Sequence, residues 1–147
     1  MYLLHQSPEY RIRSRLEEML ELAEKSGREG ELTELAAAKG ISGYFQDPAV
    51  LVKPVSRTVS QGEILQAVSM ARRAFQSLKL DMDRFALSPG PEEDLYQIEM
   101  ILTVSGIPTS TGQRIRDVYS VQAKIRYDKE KKNYLIEEVS LENLLTH

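Results

Sequence analysis

Residues 60–83, with the sequence SQGEILQAVSMARRAFQSLKLDMD, contain the change of pattern that decides the fold. In the first part, apolar residues recur every three or four positions, as on one face of a helix: Ile64, Ala67, Val68, Ala71 and Phe75. Ser60 and Glu63 have the spacing of a capping box, which predicts where this helix starts. From Leu78 onward apolar residues alternate instead, as in a strand with one buried face.

Two further helices are predicted upstream. Ser7 and Pro8 mark the start of the first, which ends at Ser26-Gly27 or Gly30. Its apolar stripe consists of Ile12, Leu16, Met19, Leu20 and Ala23. The second covers Glu31 to Lys39, with Gly40 as C-cap. Its predicted buried face consists of Leu32, Leu35 and Ala36.

The segment between the second and third helices gives a weaker signal. Residues 41–48 are predicted to be irregular, and residues 49–56 to form a short edge strand, because Pro54 cannot donate a hydrogen bond inside a sheet. In the third helix, Arg72, Arg73 and Gln76 fall off the apolar stripe.

Four strands follow in sequence. The first runs from Leu78 to Leu87, with a bulge predicted near Asp83-Arg84 where the alternation changes parity. The others are Tyr96–Val104, Ile115–Tyr127 and Tyr134–Leu141. Short loops between consecutive strands predict an antiparallel meander. Helices packed on one face of this sheet make a two-layer α+β domain that covers residues 1–147.

Composition narrows the function classes. The formal net charge of −3 argues against nucleic acid as a partner, and the absence of cysteine excludes disulfides and thiolate sites. The only histidines, His5 and His147, lie at opposite ends, so histidine metal clusters and triads are not expected. No apolar stretch approaches the ~20 residues of a transmembrane helix. The sequence does not distinguish a cytoplasmic protein from an envelope protein whose leader or anchor was removed.

The chain resembles the nuclear-transport-factor-2-like superfamily, which includes ketosteroid-isomerase-like and SnoaL-like proteins. The resemblance covers roughly residues 8–143. It rests on the element order and on the opening helix around residues 11–20, the stretch Tyr44-Phe45-Gln46-Asp47 before the third helix, and the two closing strands. It implies three N-terminal helices packed in the concave face of a curved antiparallel sheet, a cone-shaped α+β domain with a pocket at its open end. It does not imply a reaction, because the family includes isomerases, dehydratases, cyclases, assembly modules and binding domains.

Isomerase-like members use an interior carboxylate as base, with a tyrosine or neutral acid as oxyanion donor. Asp117 and Glu137 have the parity of the apolar residues in their strands, and so are the candidate catalytic residues. The alternative is that Asp117 lies in solvent at a strand end and that a bulge turns Glu137 outward, since acids are rarely buried unless paired.

Aromatic residues could line a pocket for an apolar ligand, or could simply form the core. The candidate ligand-binding residues are Tyr44, Phe45, Asp47, Phe75, Tyr96 and Tyr119. The arginines at positions 11, 13 and 15 are predicted to form a solvated helix face.

Two functions follow as hypotheses. The first is a non-catalytic ligand-binding or assembly domain that binds a small apolar molecule and forms a homodimer through the exposed sheet face. The absence of a recognisable set of catalytic residues in the sequence favours it. The second is a small-molecule isomerase or dehydratase that uses an interior carboxylate and a tyrosine. Neither requires a cofactor or metal.

Overall fold

The computed structural model describes residues 7–27 and 30–145. Within these residues lie three helices and seven strands, and His5 and His147 are outside them. The helices are α1 (Pro8–Ala23), α2 (Glu31–Ser42) and α3 (Gln61–Arg73). The strands are β1 (Lys25–Ser26), β2 (Phe45–Lys53), β3 (Arg57–Val59), β4 (Phe75–Pro89), β5 (Leu95–Pro108), β6 (Ile115–Asp128) and β7 (Asn133–Asn143).

The strands form one curved sheet in the order β1-β4-β5-β6-β7-β2-β3. Strands β4 to β7 pair antiparallel with their neighbours in sequence, which confirms the predicted meander. Strand β2 instead pairs parallel with β7, so the sheet is mixed. The helices cover the concave face, and the predicted α+β cone is confirmed.

The core lies between α1 and the centre of the concave face. Ile12 and Leu16 of α1 are fully buried there, as the apolar stripe predicts. Alternate residues of the long strands supply the other side: Ile98, Met100, Val121, Ala123 and Ile125. Burial of apolar surface here, at roughly 25 cal/mol per Å², is the main stabilising contribution to the fold.

The start of α3 has the predicted capping box. The Ser60 hydroxyl accepts a hydrogen bond from the Glu63 N–H at 3.1 Å, and the Glu63 carboxylate accepts one from the Ser60 N–H at 2.9 Å. The bulge in β4 also occurs where it was predicted. The register with β5 shifts between Asp83 and Ala86, and Arg84 has a φ of 53°.

The predicted orientation of α2 was wrong. Leu32, Leu35 and Ala36 are all exposed, while Glu34 is 4% exposed. The buried face instead contains Glu34 together with Ala37, Ala38 and Ile41. Glu34 can be buried there because it meets Lys25 and Arg72, two buried cations from other elements.

The ends of α1 and α2 also differ from prediction. Helix α1 stops earlier, at Ala23, because the chain then extends to pair β1 with β4. Helix α2 continues past Gly40, which is not its C-cap, to Ser42. A Cβ at Gly40 would lie 3.2 Å from the Leu22 side chain, so the glycine lets α1 approach α2 closely.

The segment before α3 is more regular than predicted. Residues 45–48 belong to β2 rather than to an irregular loop, and β2 lies between β7 and β3 instead of at the edge. Pro48 is tolerated because the ladder to β7 is irregular between Phe45 and Val50. Pro54 follows the end of the strand.

Candidate functional site

An apolar groove opens between α3 and the strands β2, β3 and β7. Its volume is about 520 Å³, within the usual range for small-molecule sites. Helix α3 supplies one wall, with Ile64, Ala67, Val68 and Met70. The apolar residues of the strands supply the other: Phe45, Ala49, Val50, Leu51, Val59, Val139 and Leu141. The stripe of α3 that predicted core packing is thus, in part, a wall of this groove.

Polar groups are confined to the groove's rim. Arg57 and Glu63 line it and form an ion pair with side chains about half exposed. A hydrogen bond from the Ser60 N–H lowers the pKa of Glu63, and although desolvation opposes this, attraction to Arg57 adds to it. Gln66 is the other polar residue of the lining. A bound molecule would therefore meet apolar side chains along most of its surface.

The predicted ligand-binding residues do not form one site. Phe45 lines the groove, and Asp47 lies beside it, where its carboxylate accepts a hydrogen bond from the Gln61 N–H at 3.1 Å. Phe75 lies in a different cavity. Tyr96 packs edge-on against Tyr134, with ring centroids 6.2 Å apart.

Tyr44 lies against α1. The Arg15 guanidinium is 4.2 Å from the centroid of its ring, and Arg15 Nε also donates to the Tyr134 carbonyl at 2.5 Å. Burial raises the pKa of Tyr44, the Glu18 carboxylate adds to this, and Arg15 opposes it. Arg11 similarly stacks on Tyr134 at 5.2 Å. Arg11 and Arg13 are nevertheless exposed, as the sequence predicted, whereas Arg15 is half-buried against Tyr44.

Asp117 and Tyr119 lie two residues apart on β6 and so share its concave face. Asp117 is opposite Val104, Tyr119 is opposite Leu102, and both side chains are half-buried. Tyr119 packs against the core. Neither is among the residues that line the apolar groove.

Glu137 does not point into the cone. It lies at a bulge of β7, where the register with β6 shifts between Lys124 and Ile125. Its carboxylate accepts two hydrogen bonds from Arg126, at 2.9 and 3.2 Å. Arg126 follows inward-facing Ile125 in β6, so it lies on the opposite, convex face. The bulge turns Glu137 outward, which is the alternative that the sequence left open, so the inward orientation that made Glu137 a candidate base is not present.

A buried cluster of charges was missed from the sequence. The Glu34 carboxylate accepts a hydrogen bond from Lys25 Nζ at 2.5 Å and pairs with the Arg72 guanidinium. Arg72, 3% exposed, also donates to the carbonyls of Ala23 and Glu24. The cluster joins α2 and α3 to the end of α1 and β1. Its members are far apart in sequence, so no local pattern indicates it.

A larger cavity of about 660 Å³ adjoins this cluster. Its lining is mostly polar and includes Lys25, Glu34 and Arg73, together with Phe75. Lys25 and Glu34 are already bound to each other, so these side chains serve to connect the helices. The apolar groove is therefore the better candidate for a ligand site.

Neither a metal site nor a membrane-spanning helix is found in the described part of the chain. Over residues 7–27 and 30–145, no three acidic or histidine side chains are grouped as metal ligands. None of the helices in these ranges is long and apolar enough to cross a membrane.

No protein-family model matches the chain, and no curated protein matches it. Solved structures do. A type 2 hexachlorocyclohexane dehydrochlorinase (LinA) is 8% identical with a TM-score of 0.74, covering 99% of this chain and 90% of that one. ActVI-ORFA from Streptomyces coelicolor is 10% identical with a TM-score of 0.69, covering 91% of this chain and 95% of that one.

A proposed dehydratase of the NTF2-like family from Streptomyces avermitilis is also similar. It is 10% identical with a TM-score of 0.68, over 92% of this chain and 95% of that one. Identities this low carry the fold and not the reaction. The chain therefore has the nuclear-transport-factor-2-like fold.

Proposed function

We propose that this chain is a non-catalytic binding domain that takes a small apolar molecule into the groove between α3 and strands β2, β3 and β7. The observation that carries the proposal is the groove's lining. Its walls are apolar, and its titratable groups, Arg57 and Glu63, are paired with each other at the rim. A general base needs a carboxylate that can reach the substrate, whereas Glu63 is held in a capping box.

Titration with decanol, a neutral apolar alcohol, tests this proposal. Methyl resonances of Ile64, Val68 and Met70 should shift in a saturable way, because these side chains line the groove. Methyls of Ile12 and Leu16, fully buried under α1, serve as the control and should move little. Equal shifts at both sets, or none at the groove, would count against a site here.

An enzyme of the isomerase or dehydratase type is the alternative. The shared concave face of Asp117 and Tyr119 favours it, with Asp117 as base and Tyr119 as oxyanion donor. We do not propose Glu137 as the base, because Arg126 binds its carboxylate on the convex face. The alternative requires turnover that depends on Asp117, while groove binding does not.

We also propose that the convex sheet face pairs two copies of the chain. One row across this face contains exposed Glu99 and Gln122, with Ser140 of β7 beside them. The neighbouring row contains Ser120, opposite Glu142. These polar side chains could meet across a two-fold axis, an arrangement typical of homodimers.

Light scattering tests the dimer. The chain should have twice the mass of 16.7 kDa, and Ser120→Arg should return it to a monomer by placing a long cation in the paired face. Arg114→Gln, a change in an exposed loop, is the control and should leave the mass unchanged. A monomeric mass for the unmodified chain at high concentration would refute the proposal.

A further inference from the structure

The groove's rim carries a cation whose placement restricts the ligand. Arg57 and Val59 lie two residues apart in β3, so their side chains point to the same side of the strand, and both line the groove. Val59 belongs to the apolar wall. The Arg57 guanidinium therefore stands at the end of an apolar surface.

Arg57 retains donors for a second partner. A guanidinium has five N–H donors in a planar fork. Among the described residues, the acceptor for Arg57 is one Glu63 oxygen, bonded through a single terminal nitrogen. The other Glu63 oxygen accepts the Ser60 N–H, which holds the carboxylate at the helix start. Glu63 therefore holds the Arg57 guanidinium in place while occupying only part of its N–H donors.

The ion pair between Arg57 and Glu63 is also weak enough for Arg57 to bind a second carboxylate. Both side chains are about half exposed, at 52% and 48%, and exposed pairs contribute only ~0–1 kcal/mol. A ligand carboxylate can bind the remaining N–H groups in the bidentate geometry that arginine favours. No other cation lines the groove in the described part of the chain.

We infer that the ligand is an amphiphile with a single carboxylate, bound with its anionic head at Arg57 and its apolar body along Val59, Ile64 and Phe45. This rests on the proposed function, because it names the class of molecule that the same groove takes. The head group supplies orientation, and the apolar walls supply most of the binding free energy.

Comparing decanoate with decanol separates this inference from the proposed function. Both have the same apolar chain and differ in the anionic head. By methyl NMR titration, below the critical micelle concentration of decanoate and the solubility limit of decanol, decanoate should bind about fivefold more tightly at low salt, as one partly exposed charge-assisted contact suggests. If decanol binds and decanoate binds no better, the inference fails and the apolar site stands. If neither binds, both fail.

Variants at the rim test the role of Arg57 directly. Arg57→Gln should remove the preference for decanoate, measured as the ratio of the two dissociation constants. Glu63→Gln should raise it, because glutamine can keep the capping box while the competing charge is lost. Arg114→Gln, in an exposed loop outside the groove, should leave the ratio unchanged. A ratio that Arg57→Gln does not alter would overturn the inference.

Discussion

Replacing Glu34 with alanine should lower the free energy of unfolding by about 3–5 kcal/mol, the usual cost of removing one partner from a buried ion pair. The side chains of Glu34, Lys25 and Arg72 are all under 10% exposed. The substitution leaves both cations buried without the carboxylate they share. Urea denaturation followed by circular dichroism measures the change.

Glu31→Ala is the matched control for this substitution. Glu31 lies in the same first turn of α2 but is exposed. Its replacement should change stability by well under ~1 kcal/mol. A comparable loss in both variants would mean that the helix start, rather than the buried cluster, determines the effect.

Gly106→Ala should lower the free energy of unfolding by about 1–3 kcal/mol through overpacking. A Cβ at position 106 would lie 2.6 Å from the Ser77 carbonyl oxygen and 2.8 Å from the Phe75 ring. The oxygen belongs to the backbone of β4, so a side-chain rotation cannot relieve that contact. The paired strands must shift instead, which urea denaturation would detect.

Gly62→Ala is the control for this substitution, because position 62 has room for a methyl group. Gly62 lies in the first turn of α3, and a Cβ there would meet only the Ser60 hydroxyl, at 3.8 Å. Alanine should be neutral or stabilise the protein by up to about 1 kcal/mol, because it favours the helix. A destabilised Gly62→Ala together with an unchanged Gly106→Ala would contradict the packing described for both sites.

The periodic elements were predictable from local pattern because their burial is regular. Alternation from Tyr96 to Val104 and from Ile115 to Tyr127 gave the central strands, since every second side chain meets the helical layer. The capping box at Ser60 is a contact within four residues, so it too could be recognised in the sequence.

The errors came from contacts between distant residues. The buried face of α2 includes Glu34, which the apolar pattern does not indicate because its partners lie 9 and 38 residues away. The sequence left the orientation of Glu137 open, because it depends on a single extra residue in β7, which reverses the parity of the strand.

The candidate site was only partly predictable. Phe45 was expected to contact a ligand, and it lines the groove. Ile64 and Val68 were expected in the core because an apolar helical stripe has the same pattern whether it meets a sheet or a groove. Arg57 gave no signal, since its importance depends on the short strand β3, which holds it beside Val59.

A crystal structure of the chain grown with decanol is the most direct test of the apolar groove. We expect continuous density for the alcohol between Ile64 and Val68 of α3 and Leu141 of β7. Density in the charged cavity beside Lys25 and Glu34, with the groove between α3 and β7 left empty, would contradict it.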